Sequence, residues 1–92
     1  MSFYEFRGFH IPDYMGHGIE NYLKYGLEPG DFLSAVICND LTKAVSHADD
    51  TNIKNIPAYV GYFYNQAPSA CWGSREKMEK WMESRRLLEN TK

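Results

Sequence analysis

Residues that break, cap or turn a backbone recur so often along this chain that only short elements can form between them. Pro12, Gly26, Pro29-Gly30, Asn39-Asp40, the polar run Asp49-Asp50-Thr51-Asn52, Pro57, Pro68 and Gly73 punctuate it. Each is a residue type that ends a helix, starts one or reverses the chain. Between them the apolar residues mostly keep helical spacing. Tyr14, Ile19, Tyr22, Leu23 and Tyr25 share one broad face, and Gly26 stands where a C-terminal cap belongs. Gly16 and Gly18 weaken the start of that segment, which sets its helix at 16–25. Phe32, Leu33, Val36, Ile37, Leu41, Ala44, Val45 and Ala48 form a second stripe, interrupted by Asn39-Asp40. It reads as one helix of about 18 residues or as two with a bend, and two is the favoured reading because Asn and Asp are good N-caps.

Pro57 fits the first position of a helix over 57–66, whose Tyr59, Tyr62 and Phe63 share a face. Ser74 caps a last helix, 74–88, with Met78, Trp81, Met82 and Leu88 as its stripe. Residues 3–11 are aromatic and roughly alternating, the pattern of an extended segment or hairpin. The fold class is therefore mainly α, a compact bundle of four or five short helices (16–25, 31–38, 40–48, 57–66 and 74–88) with a short N-terminal extended or hairpin arm. It forms one domain over residues 1–92, with the arm at 1–12, the helical body at 13–89 and a frayed tail at 90–92. Trp81, Leu33, Ile37, Leu41, Val45 and Phe63 are the expected core.

A chain of 92 residues buries only about 60–65% of its unfolded surface, so a deep catalytic pocket competes with the core for side chains. Seven Tyr, five Phe and two Trp are more rings than so small a core easily hides. Some Tyr are expected at the surface, where such rings favour protein interfaces. No run reaches the ~18 apolar residues of a membrane span, and the first residues lack the pattern of a signal peptide. The chain reads as cytosolic.

Net charge is −2 and the pI about 5.9, which argues against a duplex-DNA binder with a basic face. The distribution is uneven. Residues 1–70 hold four Lys and Arg against eight Asp and Glu, and residues 71–92 hold six against four. The segment after Pro57 has no Lys or Arg and cannot serve as a recognition helix. The last helix does carry Arg75, Lys77, Lys80, Arg85 and Arg86, interleaved with glutamates. Its ordinary reading is a solvated face, with contact to an RNA backbone as the functional one.

Cys38 and Cys71 are 33 positions apart, in no CxxC, and His10, His17 and His47 are scattered. That spacing supports no metal site and no cofactor. Cys38 reads as a core residue on the helical stripe. Cys71 precedes a helix N-terminus, which would lower its pKa. With His47 and Asp49 or Asp50 it makes a Cys-His-Asp set on paper, but no nucleophile signature surrounds it. Gly16-His17-Gly18 lacks the third glycine of a dinucleotide fingerprint.

Five motifs add a resemblance. Tyr25-Gly26-Leu27-Glu28-Pro29-Gly30-Asp31-Phe32-Leu33, Cys38-Asn39-Asp40-Leu41, Ala48-Asp49-Asp50-Thr51-Asn52, Tyr64-Asn65-Gln66-Ala67-Pro68-Ser69 and Cys71-Trp72-Gly73-Ser74 resemble a widespread group of small phage proteins. They fall within Ile19 to Glu83, about two-thirds of the chain. The length and the arm are similar to anti-CRISPR proteins of that origin directed against type I-F systems. The resemblance implies an inhibitor without catalytic residues, one that binds the crRNA-guided surveillance complex (Csy) and stops capture of target DNA. Such complexes hold guide and target in a positively charged channel.

On this reading Glu28, Asp31, Asp49 and Asp50, carboxylates projecting from two turns, meet channel cations. Arg75, Lys77, Lys80, Arg85 and Arg86 approach guide-RNA phosphates. Free duplex DNA and membranes are not expected partners. The alternatives are a phage accessory protein that binds another host protein, a small nucleic-acid-binding regulator, and a cysteine-dependent enzyme.

Overall fold

Phe3 and Phe6 explain how the first residues dock. In the computed structural model, which describes residues 2–90 and the side chains of 2–87, the arm is a hairpin. Strand β1 (Ser2–Phe6) pairs antiparallel with β2 (Phe9–Pro12), Tyr4 opposite Ile11 and Phe6 opposite Phe9. Arg7 and Gly8 close it with φ of 51° and 85°, the paired positive values that match strand twist in a two-residue turn. The register slips between Ser2 and Tyr4. There two consecutive rings, Phe3 and Tyr4, both pack on Tyr62, at 5.3 and 5.4 Å between centroids.

Helix α1 (Asp13–Tyr25) follows directly, starting three residues before the expected 16. The reason is tertiary. A Cβ on Gly16 would lie 2.5 Å from the Phe3 ring, and one on Gly61 2.7 Å from the Phe6 ring. Both glycines are notches for hairpin aromatics, so Gly16 sits inside the helix despite its poor propensity.

Helix α2 (Asp31–Ile37) is buried over most of its length, and α3 (Leu41–His47) packs against it. The break at Asn39-Asp40 is real: Asn39 is left-handed, φ 61°, and the Asp40 carboxylate accepts from the Lys43 amide at 3.1 Å. Leu33, Ile37 and Phe63 are in the core as expected. Leu41 and Val45 are not. The turn at Asn39 resets the rotation of the chain, so α3 buries Ala44 and leaves Leu41 67% exposed. Cys38 belongs to neither stripe, since it terminates α2 and is half-buried against Met78.

A single helical turn, α4 (Asp50–Ile53), occupies the expected polar loop, and α5 (Ile56–Asn65) begins one residue earlier than predicted. Asn55 locks this stretch to the hairpin by accepting from the His10 amide at 2.8 Å. A 3-10 turn (Ser69–Cys71) leads to α6 (Arg75–Asn90), with the Ser74 hydroxyl accepting from the Lys77 amide.

Helix α6 packs on α1. Gly26 ends α1 at φ 68°, and a Cβ there would meet the Met82 carbonyl at 2.6 Å. Tyr22 is fully buried and donates its hydroxyl to the Cys71 carbonyl at 2.6 Å. Trp81 is half-buried rather than central. Its indole N–H donates to the Tyr22 carbonyl at 3.1 Å, and its ring lies 4.2 Å from the Arg85 guanidinium carbon. The Leu88 side chain and, apart from Asn90 at the end of α6, the tail expected to fray lie outside the described residues. Among the described residues no helix is long and apolar enough to cross a membrane.

Candidate functional site

Three of the four acidic candidates come together at the start of α2. Asp31 is its first residue and Glu28 lies in the turn before it. Asp49 arrives from the other direction, as the N-cap of α4. A groove of about 360 Å³ is lined by Asp31, Asp49, Tyr14, His47 and Asn52, among others. A second, of about 290 Å³, is lined by Glu28, Asp31, Asp40, Lys43, His47 and Arg75. The two share Asp31 and His47, so they read as one continuous rim with a carboxylate at intervals.

Asp49 does not project freely, as the sequence suggested. Its Oδ1 accepts from the Asn52 amide at 2.7 Å, and its Oδ2 accepts from the Tyr14 hydroxyl at 3.3 Å. Partial desolvation, followed by the nearby Asp49 charge, pushes the largely exposed Tyr14 phenol above its ordinary pKa. Asn52 is buried beneath this pair and accepts the Tyr59 hydroxyl at 2.5 Å. Asp50, exposed at the first position of α4, lines neither groove.

The basic candidates divide. Arg75 joins the acidic rim and reaches Glu79 at 3.9 Å. Lys77 and Lys80 line a separate hollow with Ala70, Trp81 and Ser84, and Lys80 reaches Glu76 at 3.7 Å. Both ion pairs are exposed i,i+4 pairs and hold their partners weakly. Arg85 is half-buried on Trp81 and is not a free surface cation, whereas Arg86 is exposed on α6.

The Cys-His-Asp set is not assembled. Cys71 has no exposed surface and does not line the groove that holds His47 and Asp49. Burial pushes its thiol up to about 11, against the lowering expected from the helix that follows. Cys38 is also raised by burial, with the Arg75 guanidinium opposing the shift. Among the described residues no group of three His, Cys, Asp or Glu is placed to hold a metal ion.

Tyr14, Asp40, Lys43, His47 and Asn52 are rim residues that the sequence did not single out for partner binding. Tyr14 looked like core because it shares a helical face with Ile19. His47 ends α3 seven residues after Asp40, two turns along one face. That spacing was the available signal. No family model, no curated protein and no solved structure matches the chain.

Proposed function

We propose that this protein is a non-enzymatic inhibitor of CRISPR immunity, acting in the cytoplasm of a phage-infected bacterium. It binds the crRNA-guided type I-F surveillance complex and keeps target DNA out. One observation carries the reading beyond the motif resemblance: Glu28, Asp31 and Asp49 converge on a continuous grooved rim. A concave surface on which Glu28, Asp31, Asp40 and Asp49 outnumber Lys43 and Arg75 suits the Lys and Arg of a channel built to hold nucleic acid. The Lys77 and Lys80 hollow beside Trp81 supplies a second contact, to guide-RNA phosphates.

The test measures affinity for the assembled complex, and then DNA capture, at two ionic strengths. Wild-type protein is expected to bind and to abolish capture. Glu28→Gln with Asp31→Asn is expected to weaken binding by about tenfold and to flatten its salt dependence, since each exposed charge alone is worth only ~0–1 kcal/mol. Failure of the wild type to bind, or binding that leaves DNA capture intact, refutes the proposal.

A further inference from the structure

Gly18 does nothing in the fold that requires a glycine. Its backbone is ordinary right-handed helix in the interior of α1, where a better helix former would hold the chain more firmly. A Cβ there would meet only Leu33 Cδ2, at 3.7 Å, an ordinary contact. Gly16 and Gly26 differ, since their missing side chains make room for the Phe3 ring and the Met82 carbonyl. What Gly18 keeps open is the groove of about 360 Å³ that holds Asp31 and Asp49. Gly30 lines the same groove, at φ −67°, and nothing lies within 4 Å of a Cβ there. Two glycines that the fold does not need leave space for another backbone to approach closely. The volume falls within the ~300–1,000 Å³ of ligand sites.

The polar groups of the groove specify what approaches. Asp31 and Asp49 line it and no Lys or Arg does. The ion pairs among the described residues, Arg75 with Glu79 and Lys80 with Glu76, leave Asp31 unengaged. Asp49 keeps lone pairs beyond those taken by the Asn52 amide and the Tyr14 hydroxyl. Asn52 adds an independent demand. It is only 4% exposed and its Oδ1 accepts the Tyr59 hydroxyl, but its Nδ2 donates to no group among the described residues. Buried donors are nearly always satisfied, and the groove that Asn52 lines is where an acceptor reaches it.

We propose that this groove holds an arginine-bearing peptide segment of a partner protein. The segment's main chain passes Gly18 and Gly30, one of its carbonyls accepts from Asn52 Nδ2, and its guanidinium engages Asp31 and Asp49. Arginine fits better than lysine because its five donors serve two carboxylates at once and its plane stacks on rings such as Tyr14 and Phe32, which line the groove. The proposal rests on the reading of the acidic rim as a surface for partner cations.

The test titrates the free protein with the blocked peptide acetyl-Gly-Gly-Arg-Gly-Gly-amide and follows it by heteronuclear NMR. Saturable shifts are expected at the Gly18 and Gly30 amides and the Asn52 side-chain amide, with a dissociation constant of about 1–10 mM. The citrulline peptide, which keeps every carbonyl and loses the charge, is expected to bind at least about tenfold more weakly. Agmatine, which keeps the guanidinium and has no carbonyl, is expected to bind at least about threefold more weakly. Gly18→Leu is expected to raise the thermal midpoint by a few degrees and to weaken peptide binding at least about tenfold, while Asp31→Asn weakens it about threefold. Absence of saturable shifts up to about 50 mM overturns the proposal, as does a citrulline peptide that binds equally well. Agmatine binding as tightly as the peptide assigns the groove to a small free cation and overturns the peptide. A Gly18→Leu chain that melts well below wild type shows that the fold needs the glycine, and folded variants that bind like wild type show that the groove is elsewhere; either overturns it. Because the surveillance complex is absent from this titration, peptide binding by a protein with no affinity for the complex refutes the inhibitor reading alone. Complex binding without peptide binding refutes this groove alone.

Discussion

Cys71 has no exposed surface, and its carbonyl holds the Tyr22 hydroxyl. Burial keeps its thiol protonated up to about 11, against an ordinary value of 9.0. The linkage has a definite sign. Below pH 9 the thiol is neutral in both states and stability does not depend on it. Between pH 9 and 11 the unfolded chain releases a proton that the folded chain retains, so stability falls as pH rises. Tyr22 and Tyr59, also raised by burial, extend the loss to higher pH. Urea titrations at pH 8, 9, 10 and 11 are expected to show constant stability at first and then a decline. Cys71→Ala, less stable throughout, should show a shallower decline beginning later. Thiol reagents at pH 8 are expected to label Cys38 and spare Cys71. The sequence made the position of Cys71 before a helix legible, but not the ring of Tyr22 above it. Local electrostatics pointed down and burial won.

Among elements, α3 and α5 divide what periodicity can and cannot tell. Spacing alone located both helices to within a residue or so, since the caps at Asp40 and the proline at Pro57 are local chemistry. Which face each helix buries was not local. One left-handed residue, Asn39, rotated Leu41 and Val45 out of the core. Gly61 shows the same gap from the other side. In the sequence it is a poor residue in a helix interior, whereas in the fold it is the seat of the Phe6 ring. Gly61→Ala gains helix propensity of up to about 1 kcal/mol but drives a methyl to 2.7 Å from that ring. The expected net loss is about 1–2 kcal/mol. In a Phe6→Ala background the same substitution should be neutral or stabilising, because the clash is gone. A double-mutant cycle measured by thermal denaturation checks this, and additivity would show that Phe6 does not seat there.

For the whole molecule, the candidate rim was half legible. Composition showed an acidic body and a basic C-terminal segment, and turns identified Glu28, Asp31, Asp49 and Asp50 as its exposed acids, of which Asp50 lines neither groove. The convergence of the other three and the capture of Asp49 by Tyr14 depend on how α1, α2 and α4 meet, whereas Arg75 parts from Lys77 because the two stand on opposite faces of α6. Distant parts of the chain are also tied at one place. Tyr22 is held by Cys71 and accepts from Trp81, contacts spanning 49 and 59 residues, and Gly26 sits against Met82. A chain ending after Gly73 keeps five of the six helices described, yet it uncovers Tyr22 and the Gly26 turn. It is expected to lose its cooperative thermal transition, and a sharp melt monitored by circular dichroism would contradict that. The same knot orders events during synthesis. The hairpin and α1 leave the ribosome before α6, which supplies their closing surface. Until α6 emerges, the nascent chain carries Tyr22 and its neighbours uncovered, and this part of the native structure is sealed only once α6 has left the ribosome. Any delay between α1 and α6, such as slow codons or a stalled ribosome, prolongs the time in which quality-control proteases and chaperones see an open chain.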